Sequence, residues 1–136
     1  MLNVVLENDT NSCFVCGPAN NSGLKVKFRL LEDVCYAEFT PGADQVGYNE
    51  VTHGGILFSL LDDVMANWLW LRGEACFTAK ADIRYREQVV VGTPIRLEGR
   101  LVKRKGPLAI MQGKIFRATD GVLLVEANAS FMLRKT

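Results

Sequence analysis

The chain has little net charge, a single histidine and no long hydrophobic run. Lysine and arginine total 16 against 15 aspartates and glutamates, a formal net charge of +1. That balance does not mark a nucleic-acid binder, although a local basic cluster can still hold a phosphate. The longest apolar run, Val64 to Leu71, is interrupted by Asn67 and is too short to span a bilayer. Met1 to Thr10 has no basic start and carries Glu7 and Asp9, which is not a signal-peptide pattern. Internal repeats and low-complexity tracts are also missing. The expectation is a soluble, cytoplasmic protein with neither nucleic acid nor membrane as partner.

Cysteine is sparse too. Cys13 and Cys16 form a Cys-x-x-Cys pair, while Cys35 and Cys76 stand singly. A closed zinc site needs four ligands, usually supplied as two pairs. With Cys35, Cys76 and His53 scattered, no metal is expected. No helix pattern follows Cys16, which argues against a thioredoxin-like role. Buried thiols in a reducing compartment are the favoured reading.

What is present is a good deal of core. At 136 residues and 49% hydrophobic, a single domain over 1–136 is expected, with an irregular segment over 1–23. Leu24, Val26, Phe28 and Leu30 alternate with Lys25, Lys27 and Arg29, which predicts a half-buried strand. Val34 to Phe39 reads as its hairpin partner. A loop over 40–52 leads into a helix, Ile56 to Leu71, that is apolar nearly all round and so belongs inside. Four strands follow. Cys76 to Arg86 alternates at Ala79, Ala81, Ile83 and Tyr85, and Ile95 to Lys103 alternates at Ile95, Leu97, Gly99 and Leu101. Gly106-Pro107 turns into Leu108 to Arg117. Asp120-Gly121 is a two-residue hairpin signal before Val122 to Leu133. The order ββ-α-ββββ predicts an α+β fold, a curled antiparallel sheet of about six strands around one long helix. Such a sheet keeps free edges, and free edges invite pairing with another copy.

The most informative stretch is Thr52-His53-Gly54-Gly55, which runs straight into that helix. Thr52 is a good N-cap. Gly54 and Gly55 leave the first-turn amides without side-chain cover, and such a helix start favours negative charge. A carbonyl placed there is polarised and its oxyanion stabilised. Further along, Ser59, Asp62, Asp63, Ala66 and Asn67 form one polar stripe by their three- and four-residue spacing. Two neighbouring carboxylates in so apolar a helix suggest a functional acid; the plain alternative is a solvated edge. From Gly55 to Asp62 is about 10 Å of helix rise. A base or nucleophile must approach the reacting atom to within about 3–3.5 Å. One helix is therefore ill suited to supply both amide and acid, which argues for a site shared across a homodimer.

These residues carry a family resemblance. The chain resembles the hotdog-fold acyl-CoA thioesterases of the PaaI-like, phenylacetic-acid-degradation type over nearly its whole length. Cys13-Phe14-Val15-Cys16-Gly17-Pro18 followed by Asn21-Ser22-Gly23-Leu24 is similar to the N-terminal signature of one branch. Gly47-Tyr48 to His53-Gly54-Gly55, Leu60-Leu61-Asp62, and Ile83-Arg84-Tyr85-Arg86 followed by Val89-Val90-Val91-Gly92 match as well. The resemblance implies that Asp62 is the catalytic carboxylate, as general base or nucleophile. It implies that the Gly55 amide, with Gly54 beside it, polarises the thioester carbonyl. His53 would orient the thioester, and Thr78 would position the water or the acid. Some members have an Asn where this chain has Gly47, so that contact is absent. Asp63 stands where many relatives carry Glu; it is counted among the substrate-binding candidates, with acceptance of a structural hydrogen bond from the neighbouring subunit as the alternative. Coenzyme A needs cations for its phosphates, for which Lys103, Arg104, Arg84 and Arg86 are the candidates.

The implied reaction is hydrolysis of an acyl-CoA thioester to a carboxylate and free coenzyme A. It needs no metal or redox cofactor; coenzyme A enters only as part of the substrate. The expected partners are acyl-CoA and a second copy, with stacking of two dimers into a homotetramer left open. Two rivals stand beside it. One is an acyl-thioester hydratase or dehydratase on the same fold, which typically pairs a His with an acid. The other is a non-catalytic acyl-CoA-binding module, which has no need of Asp62. The acyl chain is not readable.

Overall fold

A computed structural model describes residues 10–134. Two strands, β1 (Arg29–Leu31) and β2 (Val34–Phe39), come first. A 3-10 turn, Ala43–Gln45, and the helix α1 (Gly54–Trp70) follow. Four long strands complete the fold: β3 (Cys76–Tyr85), β4 (Ile95–Lys105), β5 (Leu108–Arg117) and β6 (Leu123–Leu133). They form one sheet in the order β1-β2-β4-β5-β6-β3, antiparallel throughout. The sheet wraps α1 in the hotdog arrangement that the element order implies.

Alternation explains the wrap. Cys35 and Ala37 of β2, Ile95 and Leu97 of β4, Ala109, Met111 and Ile115 of β5, and Ala127, Ala129 and Phe131 of β6 are buried. They meet Leu57, Leu60, Leu61, Val64, Met65, Trp68 and Leu69 of α1, which are buried too. Each large side chain enclosed in this way contributes about 1.5–3 kcal/mol of transfer free energy. Gly99 and Gly113 face each other across β4 and β5 and set how closely the helix lies. A Cβ on Gly99 would stand 2.7 Å from the Val64 carbonyl oxygen, and one on Gly113 3.1 Å from Leu61 Cδ2. At its far end α1 is fastened to the β1–β2 turn. Trp68 Nε1 donates to the Asp33 carbonyl at 2.9 Å. Arg72 stacks on the Trp68 ring at 3.7 Å and donates to the Glu32 carbonyl at 2.8 Å.

Three local expectations change. The strand predicted from Leu24 shrinks to Arg29–Leu31. Lys25 has φ +56°, and the amides of Leu24 and Val26 donate to the carbonyls of Phe14 and Val15 instead. Val26 is still buried, at 3% exposure, so its alternation reports burial under the N-terminal segment rather than sheet pairing. The hairpin at Asp120-Gly121 is longer than two residues, because β5 and β6 are separated by residues 118–122. There the Val122 amide donates to Asp120 Oδ1 at 3.1 Å. In β3 a bulge falls between Thr78 and Lys80, which breaks the alternation at Ala79. The segment expected to be irregular over 1–23 is built of turns from residue 10 onward; its first nine residues lie outside the described ones.

Candidate active site

The start of α1 is held from several sides. His53 N–H donates to the Gln45 carbonyl and Thr52 N–H to that of Val89, both at 2.8 Å. The helix cap is His53 rather than Thr52: its Nδ1 accepts from Gly55 N–H at 2.8 Å. The amides of Ile56 and Leu57 donate to the His53 carbonyl at 3.0 and 3.2 Å. The expectation that both glycine amides are open is therefore corrected. Gly55 N–H is engaged by the neighbouring imidazole, and Gly54 N–H is the first-turn amide with no acceptor among the described residues. Tyr85 O–H donates to the Gly54 carbonyl at 2.8 Å and so ties β3 to the helix start.

A cavity of about 670 Å³ opens at this point, lined by Gly47, Tyr48, Val51, Thr52, His53, Gly54, Leu57, Tyr85, Arg86, Glu87, Gln88 and Val89. Its wall is largely apolar with a few polar atoms, as ligand sites generally are. Thr52 is one of the lining residues. It is buried, at 4% exposure, and its hydroxyl has no hydrogen-bond partner among the described residues. An unpaired buried hydroxyl costs about 1–3 kcal/mol.

Asp62 lies two turns further along α1 and does not line this cavity. Its side chain turns toward β3, where Thr78 Oγ donates to Asp62 Oδ1 at 2.5 Å. The bulge after Thr78 makes this possible. Ala81 and Ile83 pack against the core, and an unbroken alternation from them would turn Thr78 outward. Burial raises the Asp62 carboxyl above its ordinary value, and the Thr78 hydrogen bond works against that rise. The nearby thiol of Cys76 is pushed up to about 11 by burial and by the Asp62 charge.

Asp63 faces the other way. Cys13 Sγ lies 3.7 and 3.9 Å from its two carboxylate oxygens, and Asn67 Nδ2 donates to its carbonyl at 2.9 Å. Burial again raises the carboxyl, opposed by hydrogen bonding from Cys16. Ser59 Oγ donates back to the Gly55 carbonyl at 2.9 Å. The polar stripe read from the sequence thus divides, with one acid on each flank of the helix.

The candidate cations also separate. Arg86 lines the helix-start cavity and pairs with Glu126. Arg84 lines a hollow on the outer face of the sheet with Asp82, Glu126 and Asn128, and Arg86 reaches that hollow as well. Arg104 grips Glu74 with two hydrogen bonds of 3.0 and 2.7 Å. Glu74 follows the C-terminal end of α1, a 17-residue helix and so about 25 Å long. Within one chain, Lys103 and Arg104 are not brought to the helix start.

Residues 49–124, more than half of the chain, match the profile of the Thioesterase superfamily. The chain belongs to that superfamily. No curated protein matches it in sequence. Among solved structures, a thioesterase superfamily protein is similar at 27% identity and a TM-score of 0.83, over 89% of this chain and 60% of that one. A hypothetical thioesterase from Streptococcus pneumoniae, solved with coenzyme A, is similar at 16% identity and a TM-score of 0.76, over 82% and 90%. Variants of that protein with a single Thr or Asp replaced by Ala have been solved as well. The E. coli PaaI protein of the phenylacetic acid degradation operon is similar at 16% identity and a TM-score of 0.75, over 82% and 81%.

Against this superfamily background, two residues of the cavity stand out that the sequence reading left without a site role. Thr52 was assigned a cap, and its position next to His53 is the signal that it belongs to the same turn. Tyr85 read only as a strand position, yet a tyrosine at a strand exit flanked by two arginines has a polar tip free to reach a neighbouring backbone group.

Proposed function

We propose that this superfamily member hydrolyses an acyl-CoA thioester at a site completed by a second copy of the chain. The observation that carries the reading is the half-buried Asp62 carboxylate, held through one oxygen by Thr78 beside an open sheet edge. The second oxygen is then available to a water molecule. The helix-start cavity, with its free Gly54 amide, receives the thioester carbonyl. None of the ten residues of β3 is buried, and β3 ends the sheet. Pairing of this edge with its counterpart brings Asp62 of one chain toward the helix start of the other.

The step follows from these groups. Asp62 takes a proton from water as the water oxygen bonds to the carbonyl carbon. The oxyanion is stabilised by Gly54 N–H and the helix dipole. Collapse breaks the C–S bond, and the departing thiolate takes the proton back from Asp62. Thr78 keeps the acid aimed, and Tyr85 and His53 keep the helix start in place. Arg86, the one candidate cation at the cavity, faces the polar end of the substrate. The coenzyme A of the Streptococcus pneumoniae relative and the acetyl-CoA of a Streptococcus mutans relative support the substrate class. So does spacing: the Asp and Thr replaced in the S. pneumoniae variants are sixteen residues apart, as Asp62 and Thr78 are here.

The test is release of free thiol from a panel of aryl-, short- and medium-chain acyl-CoAs. Turnover of at least one member, abolished by Asp62→Asn, is expected. A change in enoyl-CoA absorbance without thiol release would replace hydrolysis with hydration.

A further inference from the structure

The N-terminal Cys-x-x-Cys takes no part in that mechanism, yet it is built with care. Cys13 to Gly17 closes a tight turn in which Gly17 N–H donates to the Cys13 carbonyl at 2.8 Å. A Cβ on Gly17 would stand 2.3 Å from the Cys13 nitrogen, so the turn admits only glycine. Within it the amides of Val15 and Cys16 both point at Cys13 Sγ, at 3.3 and 3.4 Å. These two contacts fix where the sulfur points. The turn is fixed further by Leu24 and Val26, whose amides donate to Phe14 and Val15.

This turn lies against Asp63. One ligand atom each from Cys13, Cys16 and Asp63 falls within 4.8 Å of the others, and all three residues are partly exposed. For a tetrahedral ion with metal–sulfur and metal–oxygen distances of about 2.3 and 2.1 Å, the S···O edge is about 3.6 Å. The Cys13–Asp63 separations are 3.7 and 3.9 Å. No salt bridge reaches Asp63 among the described residues. Three groups that become anionic thus converge without a cation.

We infer that Cys13, Cys16 and Asp63 bind a thiophilic divalent cation, zinc by preference, and so clamp the N-terminal turn to the middle of α1. The two thiols release their protons to solvent on binding. Solvent fills the fourth position. The clamp lies one residue from Asp62 but on the opposite flank, so it acts on the framework rather than on the reacting atoms.

The test is titration of the reduced, metal-free protein with Co²⁺ and then Zn²⁺. The expected result is one Co²⁺ per chain with the visible and charge-transfer bands of a tetrahedral thiolate site, displaced by Zn²⁺. Cys16→Ser should abolish the bands, and Asp63→Asn should weaken Co²⁺ binding by at least about tenfold. Zinc should also protect two thiols from a thiol reagent in the unsubstituted chain, a readout independent of whether the variants fold. Absence of the bands, zinc protection of no thiol, or bands indifferent to both substitutions would overturn the site.

Discussion

Asp62 and Asp63 are neighbours in sequence and opposites in setting. Asp62 turns to the open flank of α1, toward a strand with no buried residue and a free edge. Asp63 turns to the closed flank, under a turn fixed by its own hydrogen bonds. Burial raises both carboxyls, so desolvation alone does not tell them apart. Their partners do. A hydroxyl that donates to one oxygen of Asp62 leaves the other for water. Two thiols against Asp63 make a place for a cation. On the proposed reading, the same residue type at adjacent positions serves proton transfer on one side and fastening on the other.

The sharpest way to break this contrast is to neutralise each acid in turn. Asp62→Asn should lower kcat by about 10²–10⁴, the range for loss of a general base, with little loss of Tm. Asp63→Asn should leave kcat within a few-fold. Steady-state thiol release and thermal melts of both variants check this. Equal losses of activity would mean that the two flanks serve one site.

The next effect tests the sharing of the open flank. A chain with Asp62→Ala and a chain with Gly54→Val should each be inactive. A Cβ at Gly54 already lies 3.4 Å from the Tyr85 ring, so the valine both crowds that ring and covers the amide. Unfolding and refolding the two together should restore about a quarter of normal activity, because half of the two-fold dimers then hold one intact site. No recovery despite heterodimer formation would place amide and acid in a single chain.

Legibility in the sequence follows the same division. The helix, the four long strands and their order were readable because their apolar periodicity reports one buried face. Leu24 to Phe28 misled, because Val26 is buried by a non-sheet segment that alternation cannot distinguish from a strand. Thr78 is indicated by family likeness alone; alternation from Ala81 and Ile83 would turn it outward, and only the bulge turns it in. His53 displaced Thr52 as cap because its ring nitrogen reaches the Gly55 amide. The convergence of Cys13 with Asp63 spans fifty residues, and no local pattern encodes it. Arg104 looked like a free cation because Glu74, its partner, is thirty residues away.

A smaller effect concerns Thr78 itself. Thr78→Val keeps the shape and removes the donor to Asp62. A hydrogen bond to a charged group contributes about 1.5–3 kcal/mol, so kcat should fall about 10- to 100-fold. The S. pneumoniae relative shows that a Thr-to-Ala change can be made in a protein of this fold. An unchanged kcat would leave Asp62 positioned by the helix alone.

The smallest effect separates the flanks by stability, and its sign depends on metal. In chelated protein, Asp63→Asn removes a charge from a confined place without a cation, so Tm should hold or rise by a few degrees. The amide still accepts hydrogen bonds from the thiols, which limits the gain. With excess zinc the order should reverse. An ion that binds only the folded chain stabilises it by RT ln(1 + c/Kd), where c is the free ion concentration, and the asparagine variant loses most of that gain. Asp62→Asn should show no such reversal, since its flank offers a hydroxyl and the single thiol of Cys76 rather than a pair of thiols. Paired melts with chelator and with zinc read the two acids in one experiment. A zinc response that follows Asp62 would exchange the roles assigned to the two flanks.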